Sequence, residues 1–236
     1  MILSRLHPIE EALRARPREI EWVLFDSERK DRRINELRQL CRSQGVVVRY
    51  GRREALDRLA AGNQGAVARI AVRGYLEEEA ALAGPQGSRL LLVLDEVQDP
   101  HNLGATIRVA EGLGAAVVVP ERGSAPLSET VSRSSAGAVE RVKVIRAKNL
   151  RRFIDHLKNE GFQVVGLDPA GDLIYELDLR GDLALVLGAE GKGIRRLVRE
   201  GCDRLARLPM EGKLASLNVS TAAAAAGYEA LRQRSS

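Results

Sequence analysis

The twenty residues RLLLVLDEVQDPHNLGATIR (89–108) decide the fold class. Residues 90–94 are apolar without alternation, the pattern of a strand buried on both faces rather than one with a wet side. Asp99 and Pro100 stop the chain, Asn102 can cap a helix, and a helix is predicted near 102–113. A second apolar strand, AAVVVP (115–120), follows at once. Further strands are expected at 140–145, 162–167, 183–187 and 204–208, with helices between most of them. Buried strands joined by helices make an α/β domain built on a mostly parallel sheet covered on both faces. Ligands bind such sheets at the carboxyl ends of the strands, so the loops there are where chemistry is sought.

Toward the N-terminus the pattern changes. A short helix over 8–16, a strand at 20–25, a charged helix at 31–44 ended by Gly45, the strand VVVRY (46–50), a helix near 53–60, the turn AGNQG and a strand over 66–72 describe a separate small α/β unit. Residues 74–88 are charged and then rich in Gly and Pro, which reads as a linker. The expected organisation is therefore an N-terminal domain 1–73, a linker 74–88 and a C-terminal domain 89–236. Residues 1–73 hold 16 Lys and Arg against 10 Asp and Glu, a net of +6, whereas the remaining 163 residues sum to −1. A basic N-terminal domain points to a polyanionic partner. Arg outnumbers Lys 31 to 6 along the whole chain, so general codon usage also accounts for part of the Arg content.

Cys41 and Cys202 are the only cysteines and have no Cys or His neighbours at ligand spacing, so neither a disulfide framework nor a metal site is expected. The opening MILSRLHPIEEAL lacks the apolar core of a signal peptide. No apolar run approaches the roughly 18 residues that span a bilayer. A cytoplasmic protein with no membrane partner is expected.

Three loops at strand ends have compositions unlike ordinary connectors. In the first, DEVQDPHNLGATIR (95–108), Asn102 and Arg108 stand just under two helical turns apart and can face one cleft. The second, LVLGAEGKGI (185–194), places Gly188, Gly191 and Gly193 around Glu190, suited to a ligand lying against backbone. In the third, LPMEGKLASLNVSTAAAAAGYEAL (208–231), Ser216, Asn218 and Ser220 precede an Ala-rich helix. Each alone also reads as ordinary structure: a capped helix with a surface Arg, a flexible loop, a second helix cap. The dinucleotide pattern G-x-G-x-x-G does not follow the first strand, although Glu121 stands where a ribose-binding acid would, and the P-loop pattern is absent.

Taken together and in this order, N-x-G-x-x-x-R, L-G-x-E-G-x-G and P-M-x-G-x-x-x-S-L-N-V-S resemble the three motifs of the SpoU branch (TrmH-type, SPOUT superfamily) of RNA methyltransferases. The resemblance covers about 89–232. RLHPIEEAL and NQGAVA likewise resemble the ribosomal-protein-like substrate domain of members that methylate a guanosine ribose in 23S rRNA, with Asn63 departing from the His often found before Gln-Gly. The resemblance implies a parallel α/β domain closed by a deep trefoil knot, an S-adenosylmethionine cofactor, RNA 2′-O-methylation and a homodimer formed through the knotted domain. By matching positions, Arg108, Asn102, Glu190, Ser216 and Asn218 would surround the reacting ribose. Leu187, Gly188, Leu208, Met210, Leu217 and Asn218 would line the cofactor pocket. The RNA partner is expected to be 23S rRNA, not DNA, since only RNA carries the 2′-OH. A transfer-RNA methyltransferase of the same family and a non-catalytic ribosome-assembly factor are the competing readings.

Overall fold

The computed structural model describes residues 1–71, 74–212 and 216–235. Val72 of the expected strand 66–72, Arg73 at the expected domain boundary, and residues 213–215 of the third loop lie outside the described residues. The chain divides into two compact units, Met1–Gly74 with Leu127–Arg141, and Tyr75–Pro126 with Val142–Ser236.

The first unit holds β1 (Ile2–Leu3), α1 (Leu6–Ala15), β2 (Ile20–Asp26), α2 (Arg32–Ser43), β3 (Val48–Gly51), α3 (Arg53–Leu59), β4 (Ala66–Ile70) and, later in the chain, α5 (Glu129–Ser134). Its sheet runs β1-β4-β2-β3, with β2 and β3 parallel and the other pairs antiparallel. Alternate residues of β2 and β4 bury Val23, Phe25, Ala66 and Ala68 against Ile9 and Leu13 of α1 and Ile34 of α2. Asn63 is buried: its amide donates to Asp57 and to the Ala60 carbonyl and accepts from the Gly65 N–H, so it builds the turn into β4.

Segment 127–141 was expected in the C-terminal domain. Instead it groups with the N-terminal unit, through Ser4 with Glu129, Glu11 with Arg141 and the nearly inaccessible pair Arg16 with Glu140. This corrects the strand expected at 140–145. Glu140 and Arg141 are drawn into those pairs, and the strand starts only at Val144.

The second unit holds β5 (Leu90–Asp95), α4 (Pro100–Leu113), β6 (Ala116–Pro120), β7 (Val144–Ala147), α6 (Leu150–Asn159), β8 (Gln163–Leu173), β9 (Leu183–Gly188), α7 (Arg196–Arg199), β10 (Arg204–Arg207) and α8 (Val219–Arg234). Six parallel strands take the order β10-β8-β9-β5-β6-β7. All six residues of β5 are buried, as the unbroken apolar run requires. On α6 the residues Leu150, Phe153, Ile154 and Leu157 form one buried stripe at helical spacing.

The expected linker is partly built into this unit. Leu76 bridges Ile145, and a 3-10 turn over Glu78–Leu82 buries Ala81 in the core. The Ala run of α8 permits close helix packing: a Cβ added to Gly227 would lie 2.3 Å from a methyl of Leu113 on α4. At the base of the sheet, buried Asp182 accepts from the Gly87 and Arg89 N–H groups and from the Arg89 guanidinium at 2.6 Å. Arg234 of α8 donates to the Arg89 and Gly181 carbonyls beside it.

Candidate active site

The carboxyl ends of β5 and β9 carry the first two loops singled out above, and α8 begins beside them. Helix α4 starts two residues, about half a turn, earlier than expected. Asp99, not Asn102, is its cap and accepts from the His101 N–H at 2.9 Å, with Pro100 at the first helical position, where a missing N–H costs nothing. Asn102 is thereby freed to point its amide elsewhere, and it meets the other two loops. Its Nδ2 donates to Glu190 at 3.2 Å. Asn218, capping α8 through an Oδ1 that accepts from the Ser220 N–H, donates from Nδ2 to Asn102 Oδ1 at 2.8 Å and to the same Glu190 oxygen. Three residues separated by up to 116 positions thus close a triangle in which each amide dipole is fixed by a partner.

Beside this cluster lies a cavity of about 820 Å³, within the range of small-molecule sites. Its walls come from β9 and its loop (Leu187 to Gly193), from the middle of β8 (Leu167, Asp168, Pro169), from Ala206, Arg207, Leu208 and Met210 after β10, and from Ser216, Leu217, Val219 and Ala222. Gly188 has no room for a side chain: a Cβ there would stand 2.0 Å from the Gly193 carbonyl carbon and 2.2 Å from its oxygen. The backbone is therefore the surface offered to a ligand. Gly191 and Gly193 take φ of 75° and 68°, a turn that glycine makes without strain.

Of the residues anticipated from sequence, Leu187, Gly188, Leu208, Met210, Leu217, Glu190 and Ser216 all line this cavity. Asn102 and Asn218 stand next to it through Glu190. Asn218 itself is not one of its walls, though Leu217 and Val219 on either side are. Arg108 is exposed two turns along α4 and does not line the cavity.

Sequence reasoning missed Asp168, which lines the cavity and pairs with Arg199 at 3.0 Å. The run LDPAG (167–171) looks like a turn, whereas β8 continues through it to Leu173, with a register shift opposite Leu205 and Ala206.

The sequence pattern of the SpoU rRNA Methylase family matches residues 89–228, and that described as RNA 2'-O ribose methyltransferase substrate binding matches residues 6–75. The 23S rRNA (guanosine-2'-O-)-methyltransferase RlmB of Pseudomonas aeruginosa is 43% identical over 235 residues, spanning 97% of this chain and 95% of its own length. The SpoU methyltransferase AviRb from Streptomyces viridochromogenes, crystallised with the cofactor AdoMet, shares the fold with a TM-score of 0.83 at 24% identity, covering 99% of this chain and 90% of its own. A crystal structure of an RNA 2'-O ribose methyltransferase matches with a TM-score of 0.81 at 29% identity over 99% of this chain and 88% of its own.

Proposed function

Because the chain belongs to the SpoU rRNA methylase family, we propose that it is an S-adenosylmethionine-dependent methyltransferase acting on the 2′-OH of a guanosine in 23S rRNA. The observation that carries this reading is the cavity at the ends of β9 and β10 and the middle of β8, with the Asn102–Glu190–Asn218 cluster at its edge. The relatives named for that reaction span almost the whole chain. The walls fit the cofactor. Leu187, Leu208, Met210 and Leu217 offer apolar surface for an adenosine, and the bare backbone at Gly188 offers N–H and C=O groups for its polar edges.

When bound, S-adenosylmethionine supplies the sulfonium methyl group. This chain's residues must then orient the ribose and stabilise charge developing on its oxygen. Glu190 is held by two amide donors, and with Asn102, Asn218 and Ser216 it offers hydrogen-bonding groups to the ribose hydroxyls. A guanidinium is a donor and not a base, so the role of Arg108 is to grip the adjacent phosphate and stabilise the incipient alkoxide, with the proton leaving to water or phosphate.

The basic unit containing residues 1–74 captures the RNA, which makes affinity salt-sensitive. The reading includes a trefoil knot in the chain after β9 and a homodimer through that half of the molecule, in the cytoplasm where ribosomes are assembled. Tyr228, 53% exposed on α8 beside Gly112 of α4, supplies apolar surface for a second copy.

Methyl transfer to an RNA fragment with a single 2′-deoxy substitution at the target nucleotide tests the reaction type. Loss of all labelling supports ribose methylation, and unchanged labelling refutes it.

A further inference from the structure

The carboxylate of Asp95, at the end of β5, is completely inaccessible to solvent. A charge in that position persists only with close partners. Among the described residues all of them come from one residue a hundred positions away. The Arg195 N–H donates to Oδ2 at 2.8 Å, and the Arg195 Nε and Nη2 reach Oδ1 at 2.8 and 2.7 Å. Glu96 adopts a φ of 59°, a left-handed conformation that is strained for a residue with a Cβ. In that conformation its carboxylate lies 3.3 Å from Arg195 Nη1.

The place of this pair in the chain gives it a function. Gly188 is the register partner of Asp95 across β5 and β9, and Arg195 is the residue that leads into α7. The loop between them, 189–194, is therefore tied at its start to Asp95 by the sheet and at its end by the side chain. Within it the Gly193 N–H donates to the Ala189 carbonyl at 2.9 Å, closing a narrow ring. That ring walls the cavity and carries Glu190 to Asn102 and Asn218.

We propose that Asp95 and Arg195 are positioning residues for methyl transfer: their buried ion pair fixes the 189–194 ring, and through it the place of Glu190 and the backbone wall of the cavity. The inference rests on the methyltransferase reading above. Fold stability alone gives little reason for an ion pair here, since apolar residues of similar volume often hold a buried site equally well. The guanidinium, whose Nε and Nη2 converge on Oδ1 while the backbone N–H of the same residue holds Oδ2, does what they cannot, setting the direction in which the chain leaves the ring.

The test uses the full-length protein with Arg195→Ala and Arg195→Lys, each also in a Glu190→Gln background. The readouts are kcat, S-adenosylmethionine Kd by calorimetry, thermal midpoint, and hydrogen exchange of 189–194 without cofactor. Arg195→Ala leaves the buried Asp95 carboxylate with the Arg195 N–H alone and should lower the thermal midpoint, whereas Arg195→Lys keeps a cation beside it, so all activities are compared well below each variant's midpoint. The expected result for Arg195→Ala is a kcat loss of about 10- to 100-fold, the scale of an ångström-size misplacement. Weaker cofactor binding and faster exchange confined to the ring should accompany it, with partial recovery in Arg195→Lys. In the Glu190→Gln background the further loss should shrink to about threefold or less, because both changes act through one carboxylate.

A lowered melting temperature with kcat and ring exchange unchanged would overturn the proposal, as would losses that multiply in full. A wild-type protein that binds no S-adenosylmethionine would instead overturn the methyltransferase reading, leaving the exchange measurement to decide the positioning of the ring.

Discussion

Replacing Gly188 by alanine tests whether the bare backbone at the end of β9 is what the cavity needs. The added Cβ would lie 2.0 Å from the Gly193 carbonyl carbon, 2.2 Å from its oxygen and 2.3 Å from the Ile194 nitrogen. These are backbone atoms, so no rotamer change relieves the clash. Ordinary carbon contacts need about 3.5 Å, so the 189–194 ring must retreat by more than about 1 Å. Overpacking of this kind destabilises by about 1–3 kcal/mol, a melting shift of several degrees in a chain of this size. The functional cost should be larger, because the displaced segment carries Glu190 and one wall of the cavity. Weakening of S-adenosylmethionine binding by about tenfold or more and a drop of about 100-fold in single-turnover methyl transfer are expected. Calorimetry and rapid-quench labelling measure the two separately. Gly74→Ala serves as the control, since a Cβ there meets nothing within 4 Å. Wild-type affinity and rate in Gly188→Ala would refute the reasoning, because the structure leaves that methyl group nowhere to go.

Arg108→Ala should cut kcat by about 100- to 1000-fold with little change in cofactor affinity, in keeping with a donor that acts on developing charge and does not line the cavity; wild-type turnover in Arg108→Lys would refute that role. Burial alone would raise the Asp182 carboxyl, but hydrogen bonds from the Arg89 side chain and the Gly87 and Arg89 N–H groups outweigh it and hold it down to about 2. Its contribution, about 2 kcal/mol, is therefore complete above the ordinary value of 3.8 and is lost as pH falls through about 2; thermal midpoints measured from pH 5 to 2 should show a shallower acid limb in Asp182→Asn than in the wild type. Burial pushes the Cys41 thiol up to about 12 and the Cys202 thiol up to about 11, so iodoacetamide at pH 8 should label the folded protein slower than the unfolded chain by roughly two orders of magnitude, as followed by mass spectrometry.

What the sequence made legible was local. The apolar run 90–94, the Gly-rich run after 187 and the Ala-rich helix are written in consecutive residues, and the structure holds each as a strand, a tight loop and a closely packed helix. The Asp-Pro pair that opens α4 is a readable cap signal, yet the cap was expected at Asn102; with Asp99 as the cap, Asn102 is free to bond across the site. What stayed hidden depends on partners far away in the chain. Nothing near Asp95 announces a guanidinium a hundred residues on, and nothing near Glu140 announces Arg16. The second case moved a whole segment, Leu127–Arg141, to the other unit. LDPAG has the composition of a turn, yet pairing with β10 keeps β8 extended through it and brings Asp168 to the cavity wall.

Transfer of labelled methyl from S-adenosylmethionine to unmodified 23S rRNA, 16S rRNA and bulk transfer RNA, followed by mapping of the modified nucleoside, decides both the reaction and its target. The expected result is label in 23S rRNA alone, at the ribose 2′-oxygen of one guanosine, and its disappearance with Arg108→Ala. Label in transfer RNA or 16S rRNA, or on a base rather than a ribose, would contradict it.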